Sequence, residues 1–362
     1  MMGEMGTPFY RLGLIGYPLG HSLSPVMHQA ALGSLSLQGE YNLYPVAPDQ
    51  AGRELAALVD RLRRGELDGL NVTIPHKQAL LPLVDGLTPA ARAVGAANTL
   101  YWRDGRVIGH NTDIEGFLAG LASVLDWRLP QGSGSDIRQA LVLGAGGSAR
   151  AVVYALAQAG WRVTIAARRA EQAQALAAEL KESIAKKPVA RDMNRGIDQR
   201  LSLRTRALTS EATSEVASSR SLLATTSQIN NIAEDVLLRG PGSGSIRPYD
   251  SGLLDLGLEG MGPVGLVVNT TPVGMYPAVG GSPWPEGLPF PQGAAVYDLV
   301  YNPPVTALVR AARAAGLAAE TGLGMLAAQA ALAFEFWTGQ APPRYAMQQA
   351  AERQLRALMK ER

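Results

Sequence analysis

The chain has 362 residues, of which 47% are apolar and 18% charged, a composition typical of a protein that buries a substantial core. A formal net charge of +2 is too small for a concentrated nucleic-acid-binding surface. Because there is no cysteine, disulfides, thiolate catalysis and cysteine-based metal sites are excluded, and four scattered histidines do not indicate a metal cluster. With no signal-peptide pattern and no bilayer-length apolar run, we expect a cytoplasmic globular protein.

The hydrophobic pattern of the first third predicts alternating strands and helices. We predict strands over residues 11–17, 42–46 and 70–74, and helices over residues 26–35 and 52–64. Ser24 followed by Pro25 is typical of a helix start, with serine as the cap and proline in the first turn. The alternation predicts an α/β layer with parallel strands.

Further along, residues 139–167 predict one complete βαβ unit, a strand followed by a helix that Gly160 closes and a second strand. Residues 182–252, rich in Ser, Thr, Arg and Asn, show no sustained period and predict a flexible insertion with a short helix near residues 229–238. A tolerated surface insertion is the simpler interpretation, and a regulatory or docking segment is the alternative. The remaining predicted elements are strands at 265–269 and 294–300 and helices at 306–315, at 325–337 and from 343 onward.

A glycine-rich turn, residues 144–149 (GAGGSA), joins the strand and helix of the βαβ unit. Glycines allow a tight turn and let backbone N–H groups approach a pyrophosphate at the positive end of the helix dipole. The third position of the usual fingerprint is Ala149, and a small side chain is all that close helix–strand packing requires there. The context favours dinucleotide binding over a purely structural turn.

The residues after the second strand of this unit are Ala167-Arg168-Arg169, where a site for NAD usually has an acidic residue that holds the ribose 2′-hydroxyl. A guanidinium can pair with a 2′-phosphate through two hydrogen bonds and can stack on adenine. The arginines therefore favour NADP over NAD. The alternative is a pair of solvated arginines at a strand end.

Polar side chains gather near strand ends of the first third, namely Asn71, Thr73, Lys77, Asn98, Thr99, Asn111, Thr112 and Asp113. Each alone could be a cap or turn residue. Together their amides, hydroxyls, ammonium and carboxylate suit recognition of a polyhydroxylated ring acid.

Eight short motifs occur in one order along nearly the whole chain outside the predicted insertion. They are residues 20–25 (GHSLSP), 71–77 (NVTIPHK), 97–99 (ANT), 111–113 (NTD), 144–149 (GAGGSA), 269–275 (NTTPVGM), 301–303 (YNP) and 322–329 (GLGMLAAQ). In this order they resemble the motifs of shikimate dehydrogenases, and the series is far more specific than any one motif.

The resemblance implies two α/β domains with a cleft between them. Residues 1–116 plus 322–362 would form a substrate domain, and residues 117–321, with the insertion, a Rossmann-type doubly wound NADP-binding domain. The implied activity is reversible NADPH-dependent reduction of 3-dehydroshikimate to shikimate, by a monomer or homodimer that binds no nucleic acid or membrane. The alternatives are a quinate/shikimate dehydrogenase, for which an acidic residue is expected near the adenosine ribose, and a non-catalytic NADP-binding regulatory protein, for which loss of Lys77 or Asp113 is expected.

The resemblance also implies a role for each matching residue. Lys77 and Asp113 would be the catalytic pair, in which the ammonium stabilises and protonates the reacting oxygen and the carboxylate orients the lysine. The substrate would be held by Ser22, Ser24, Asn71, Thr73, Asn98, Tyr301 and Gln329. The cofactor would be held by Gly144, Ala145, Gly146, Gly147, Ser148, Arg168, Arg169, Asn269, Thr270, Thr271, Leu299, Gly322 and Met325.

Other interpretations remain open for the catalytic pair, and two positions depart from the family pattern. Lys77 could be a surface lysine at a helix start, although the helix dipole disfavours a cation there, and Asp113 could be a helix N-cap. The family often has Asn-Arg-Thr where this chain has residues 167–169, which leaves strictness for NADP open. His76 replaces a common phenylalanine, as a planar filler or as a source of pH dependence.

Overall fold

A computed structural model describes residues 8–125, 139–186, 246–249 and 264–360. These residues form two six-stranded sheets, one from each half of the chain, with helices packed against them. Within these ranges, no helix is long and apolar enough to cross a membrane.

The first sheet is mixed. Its strands are β1 (Phe9–Gly16), β2 (Gln38–Pro45), β3 (Gly69–Val72), β4 (Gly86–Leu87), β5 (Thr99–Arg103) and β6 (Arg106–His110), in the order β2-β1-β3-β5-β6-β4. Three helices belong to this region, α1 (Ser24–Ser34), α2 (Ala51–Arg63) and α3 (Pro89–Val94), with single 3-10 turns at Pro48–Gln50 and Leu81–Leu83.

The three predicted strands are parallel, since β1 pairs in parallel with both β2 and β3, but the sheet as a whole is not, because β5, which was not predicted, runs antiparallel to β3 and β6. β5 and β6 form a hairpin through the two-residue turn Asp104-Gly105, whose residues have φ values of 50° and 76°. Two positive φ values give the turn that matches the twist of a hairpin, and such a turn reverses the chain.

The predicted cap of α1 is also wrong. Ser24 is the first residue of the helix and Leu23 is the N-cap, with no side-chain cap hydrogen bond. The preceding serine makes the local contact instead, since the Ser22 Oγ accepts a hydrogen bond from the Ser24 N–H at 3.2 Å. Pro25 does lie in the first turn, as predicted.

The second sheet is entirely parallel. Its strands are β7 (Gln139–Leu143), β8 (Arg162–Ala166), β9 (Ile246–Tyr249), β10 (Val264–Asn269), β11 (Ala295–Asp298) and β12 (Ala319–Thr321). The order β9-β8-β7-β10-β11-β12 is the 3-2-1-4-5-6 order of the doubly wound dinucleotide-binding fold. The helices are α4 (Asp113–Leu125), α5 (Gly147–Gln158), α6 (Ala170–Lys186), α7 (Ala307–Ala314), α8 (Leu323–Thr338) and α9 (Arg344–Lys360).

The predicted insertion, residues 182–252, is wrong at both ends. Helix α6 continues to Lys186, because its run of Ala, Glu, Gln and Leu favours helix. Strand β9 pairs with β8 and supplies the third strand of the fold, and as an edge strand it tolerates Pro248. The other residues of the segment, including the predicted helix at 229–238, lie outside the described residues.

The last helices return to the first half of the chain. Phe334 of α8 and Met347 of α9 share a buried apolar cluster with Met27 of α1. The Trp337 indole N–H donates to the Leu100 carbonyl at 3.0 Å, which ties α8 to β5. Helix α8 also packs along α4, so these two helices join the two sheets at the cleft.

Candidate active site

The second sheet has a topological switch point between the adjacent strands β7 and β10, where the strand order reverses. Ligands of open α/β sheets bind outside the carboxyl ends of the strands at such a point. The glycine-rich turn follows β7, and the 269–275 motif begins at the last residue of β10. Both predicted cofactor motifs are thus brought together at one place.

The glycine-rich turn has the shape that an anion requires. Gly144 has a φ of +110°, and a Cβ there would lie 2.6 Å from the Thr270 hydroxyl, so only glycine fits. Gly146 is the N-cap of α5, so no side chain caps the first N–H groups of this helix. The space that a Cβ of residue 146 would occupy is open. The first turn of α5 carries no acidic residue. These features fit a pyrophosphate on the first N–H groups of α5.

The loop after β10 is held by Asn269, which is buried at the end of that strand. Its Nδ2 donates to the Asp298 Oδ1 at 2.8 Å, and its Oδ1 accepts from the Thr271 N–H at 2.9 Å and hydroxyl at 2.7 Å. The Thr270 hydroxyl donates to the Leu143 carbonyl at 2.7 Å. The two loops are therefore tied to each other and to the next strand, β11.

Three further predicted cofactor residues lie at the same sheet edge. The Leu299 N–H donates to the Asn269 carbonyl at 2.9 Å, and a Cβ at Gly322 would collide with the Leu299 carbonyl. The Met325 N–H donates to the Tyr297 Oη at 3.3 Å at the start of α8. The backbone at this edge is closely packed, which leaves little freedom for these loops to shift.

The two arginines of the predicted NADP site follow β8. Arg168 and Arg169 are exposed, whereas the preceding Ala167 is buried. They lie one strand away from the glycine-rich turn, at the same end of the sheet. That position leaves both guanidinium groups free to meet the adenosine end of a dinucleotide.

The predicted catalytic pair is formed and largely buried. The Lys77 Nζ lies 2.6 Å from the Asp113 Oδ2, and the two side chains are 12% and 6% exposed. The Lys77 Nζ also donates to the Ser148 Oγ at 3.4 Å, in the first turn of α5. The Lys77 side chain therefore reaches from the first half of the chain to the glycine-rich turn of the second. Lys77 is not a surface lysine.

Asn98 connects the catalytic pair to the rest of the site. Its Nδ2 donates to the Asp113 Oδ1 at 2.8 Å and the Thr112 Oγ1 at 3.0 Å, and it lies 3.4 Å from the Gln329 Oε1. Its Oδ1 accepts from the Thr112 N–H at 2.7 Å and the Thr99 hydroxyl at 3.1 Å. This amide therefore fixes Asp113 and brings Gln329 of α8 to the same place.

The other predicted substrate residues differ in burial and in whether they are hydrogen-bonded to this centre. Asn71 is buried, and its Nδ2 donates to the Asn98 carbonyl at 3.2 Å. Ser24 is buried and Ser22 half-buried, at the start of α1. Thr73 and Tyr301 are half-buried, and in the described part of the chain no side-chain hydrogen bond joins either of them to Asn98 or the catalytic pair. Burial raises the pKa of the Tyr301 phenol to about 12, so it stays a neutral donor.

Sequence reasoning missed two residues that support this site. Tyr41, whose hydroxyl donates to the Asn71 Oδ1 at 2.8 Å, is the one buried residue of β2. Asp298 accepts from Asn269 and, at 2.6 Å, from the Thr306 hydroxyl. A carboxylate at the end of an otherwise apolar strand was a usable signal for Asp298. A tyrosine on an edge strand carried no comparable signal.

Comparison with known proteins agrees with this geometry. Family models match three segments: the shikimate dehydrogenase substrate binding domain at residues 14–100, shikimate/quinate 5-dehydrogenase at 131–200 and the shikimate 5′-dehydrogenase C-terminal domain at 322–352. A shikimate dehydrogenase (NADP(+)) of Citrifermentans bemidjiense is 37% identical over 340 residues, 93% of each chain. The chain belongs to the shikimate dehydrogenase family.

Two solved structures extend the comparison within and around the shikimate dehydrogenase family. Shikimate 5-dehydrogenase of Thermus thermophilus, in complex with NADP(H) and shikimate, has a TM-score of 0.66 at 32% identity, covering 95% of this chain and 99% of its own. Quinate dehydrogenase of Corynebacterium glutamicum, in complex with NAD, has the same TM-score of 0.66 at 28% identity, covering 95% and 99%. The expected α/β fold with a Rossmann-type domain is thus confirmed.

Proposed function

We propose that this chain reduces 3-dehydroshikimate to shikimate with NADPH, reversibly. The observation that carries the proposal is the buried Lys77–Asp113 ion pair, 2.6 Å long, whose ammonium also meets Ser148 beside the glycine-rich turn. This position suits a proton donor for a substrate in the first domain and a nicotinamide in the second. The relatives named shikimate dehydrogenase (NADP(+)) support the same reaction.

The residues at the switch point fit a dinucleotide. The open space over Gly146 and the uncapped start of α5 suit the pyrophosphate, and Arg168 with Arg169 suits a 2′-phosphate. When bound, this cofactor supplies the hydride. No acidic residue occupies positions 167–169, which favours NADPH over NADH.

The chain's own part in the reaction is proton transfer and orientation. As negative charge develops on the ketone oxygen, the Lys77 ammonium stabilises it and donates one proton from Nζ, which gives the alcohol. Asp113 holds the ammonium by its Oδ2, while the Asn98 amide holds Asp113 by its Oδ1. In the reverse direction the neutral Lys77 amine takes the alcohol proton. Such a positioned acid typically contributes about 10²–10⁴ in rate.

The substrate is held on the first domain. Ser22 and Ser24, at the start of α1, would donate to the ring carboxylate, and Thr73, Asn98 and Gln329 would bond the ring hydroxyls. The Asn98 and Gln329 side chains already converge, with a 3.4 Å contact between them. We assign residues 1–116 and 322–362 to this substrate domain and residues 117–321 to the cofactor domain, because α8 and α9 pack on α1.

The test is the initial rate of nicotinamide reduction by the purified protein with shikimate or quinate, each with NADP or NAD. We expect the initial rate with shikimate and NADP to exceed that of every other pair by at least tenfold. One charge-assisted contact can supply roughly 1.4 kcal/mol, which corresponds to a factor of ten. Equal or faster turnover of quinate with NAD would overturn the substrate and cofactor assignment. No turnover with any pair, despite tight NADP binding, would indicate a non-catalytic protein.

A further inference from the structure

Tyr41 lies behind the substrate site, on β2, and belongs to none of the matching motifs. It is 7% exposed, and its ring stacks on that of His28 with centroids 4.3 Å apart and planes 4° apart. Burial lowers the pKa of His28 to about 3, so this ring is neutral. Trp337 also packs against His28, with 5.2 Å between the ring centroids. The phenol is thus held in one orientation by apolar contacts.

The Tyr41 hydroxyl begins a series of buried hydrogen bonds that ends at the catalytic pair. It donates to the Asn71 Oδ1 at 2.8 Å, and the Asn71 Nδ2 donates to the Thr99 Oγ1 at 3.3 Å. The Thr99 hydroxyl then donates to the Asn98 Oδ1 at 3.1 Å, and the Asn98 Nδ2 donates to the Asp113 Oδ1 at 2.8 Å. Every donor in the series points toward Asp113.

The direction of these donors decides which way each amide faces. Because Tyr41 donates to the Asn71 oxygen, the Asn71 nitrogen must face Thr99, and the Thr99 proton is then directed to the Asn98 oxygen. The Asn98 nitrogen is left to face Asp113. A reversed Asn98 amide would set its oxygen against the Asp113 carboxylate. The Thr112 N–H sets the same Asn98 orientation by donating to its Oδ1 at 2.7 Å, so the Tyr41 proton reinforces the arrangement in which Asp113 is supported.

The same phenol is also influenced from the other end of the substrate site. Burial raises the pKa of Tyr41, and the side chain of Ser24 opposes that rise. Ser24 is a proposed ligand of the ring carboxylate. Tyr41 thus stands between the carboxylate end and the catalytic end of the site.

We propose that Tyr41 is a positioning residue for ketone reduction, acting through Asn71, Thr99 and Asn98 on Asp113. The inference rests on the proposed function, since it assigns how the catalytic carboxylate of that reaction is held. In the described structure the Tyr41 side chain forms no hydrogen bond with Lys77, Asp113 or the cofactor loops, so loss of its hydroxyl should lower kcat and leave the affinity for NADP unchanged.

The test is Tyr41→Phe, which keeps the stacked ring and removes only the hydroxyl. We expect kcat for shikimate oxidation to fall about tenfold, well within the hundredfold that a 1 Å displacement of reacting groups can cause. Tyr44→Phe is the matched control, since Tyr44 is on the same strand but packs beside Gly13 and under Arg61, and it should leave kcat unchanged.

A double-mutant cycle separates positioning from a general loss of stability. In an Asn71→Ala background the relay is already broken, so adding Tyr41→Phe should change kcat by less than about twofold. Full, independent losses from both substitutions would overturn the inference, and so would a folded Tyr41→Phe with wild-type kcat. A wild-type protein without turnover would overturn the proposed function as well, which distinguishes the two failures.

Thr99 provides a second test if Tyr41→Phe does not fold. Thr99→Val keeps the shape of this buried residue and removes the hydroxyl that links Asn71 to Asn98, whereas Thr99→Ser keeps the hydroxyl. We expect Thr99→Val to lose about tenfold in kcat and Thr99→Ser to retain wild-type kcat within about twofold. Equal kcat values for the two variants would overturn the relay.

Discussion

Replacing Glu115 with glutamine should stabilise the folded protein at pH 8 and change its stability much less at pH 5. Glu115 is on α4, two residues after Asp113, and its Oε2 is sealed from solvent with no hydrogen-bond partner in the described structure. Burial raises its pKa from 4.5 to about 7, and the charge of Asp113 acts in the same direction. The Tyr154 hydroxyl is also sealed from solvent and has no hydrogen-bond partner in the described structure.

The size and sign of the effect follow from these two pKa values. A carboxyl group that binds its proton more tightly in the folded state loses stability as pH rises between the unfolded and folded pKa values. The difference of about 2.5 pH units corresponds to about 3 kcal/mol at about 1.36 kcal/mol per pH unit. That cost is nearly complete at pH 8 and below about 1 kcal/mol at pH 5. Glutamine has no charge to bury at either pH.

The assay is urea denaturation of wild type and Glu115→Gln at both pH values. The stability advantage of the variant should be larger at pH 8 than at pH 5 by about 2.5 kcal/mol, and any constant cost of the amide cancels in this difference. Glu40→Gln, at an exposed position of β2, serves as the control and should show no such pH-dependent advantage. An advantage for Glu115→Gln that is the same at both pH values would refute a buried, proton-binding Glu115.

Three further predictions concern the cofactor loops and a buried histidine. Arg168→Ala should raise the KM for NADP about tenfold or more and leave that for NAD unchanged, and an equal rise for both would contradict the 2′-phosphate assignment. In Asp298→Asn an amide would face the donors of Asn269 and Thr306. We expect the KM for NADPH to rise severalfold and the free energy of unfolding to fall by about 1–3 kcal/mol. An unchanged KM would show that Asp298 does not support the cofactor loop. Burial lowers the pKa of His110 to about 4, so between pH 7 and pH 5 the histidine becomes charged only in the unfolded state. Acidification over this range should therefore destabilise wild type by about 2 kcal/mol relative to His110→Gln. Equal changes in the unfolding free energies of the two proteins would contradict a buried, neutral His110.

The features that local sequence determines were predicted well. The strand, glycine-rich turn and helix at residues 139–158 depend on apolar runs and on glycines that a tight turn requires, and Gly144 has the positive φ that the pattern implies. The association of Lys77 with Asp113 was predicted from the resemblance, and the structure brings the two side chains into contact.

The features that failed depend on pairing between distant segments or on short signals. Strand β9 has four residues, one of them Pro248, and only its pairing with β8 makes it a strand. The reversal at Asp104-Gly105 was available as a turn signal and was missed. The contact of Tyr41 with Asn71 joins β2 to β3 across β1, so it depends on the strand order of the folded sheet.

The most direct measurement of the central claim is kcat/KM for shikimate with NADP in Lys77→Met, beside the Kd for NADP and the midpoint of thermal unfolding. Lys181→Met, at an exposed position on α6, is the matched control and should behave as wild type. We expect kcat/KM to fall by a factor of about 10²–10⁴ in Lys77→Met, with a folded protein that binds NADP as the wild type does. Near-wild-type turnover by the folded Lys77→Met variant would contradict the assignment of Lys77 as the proton donor.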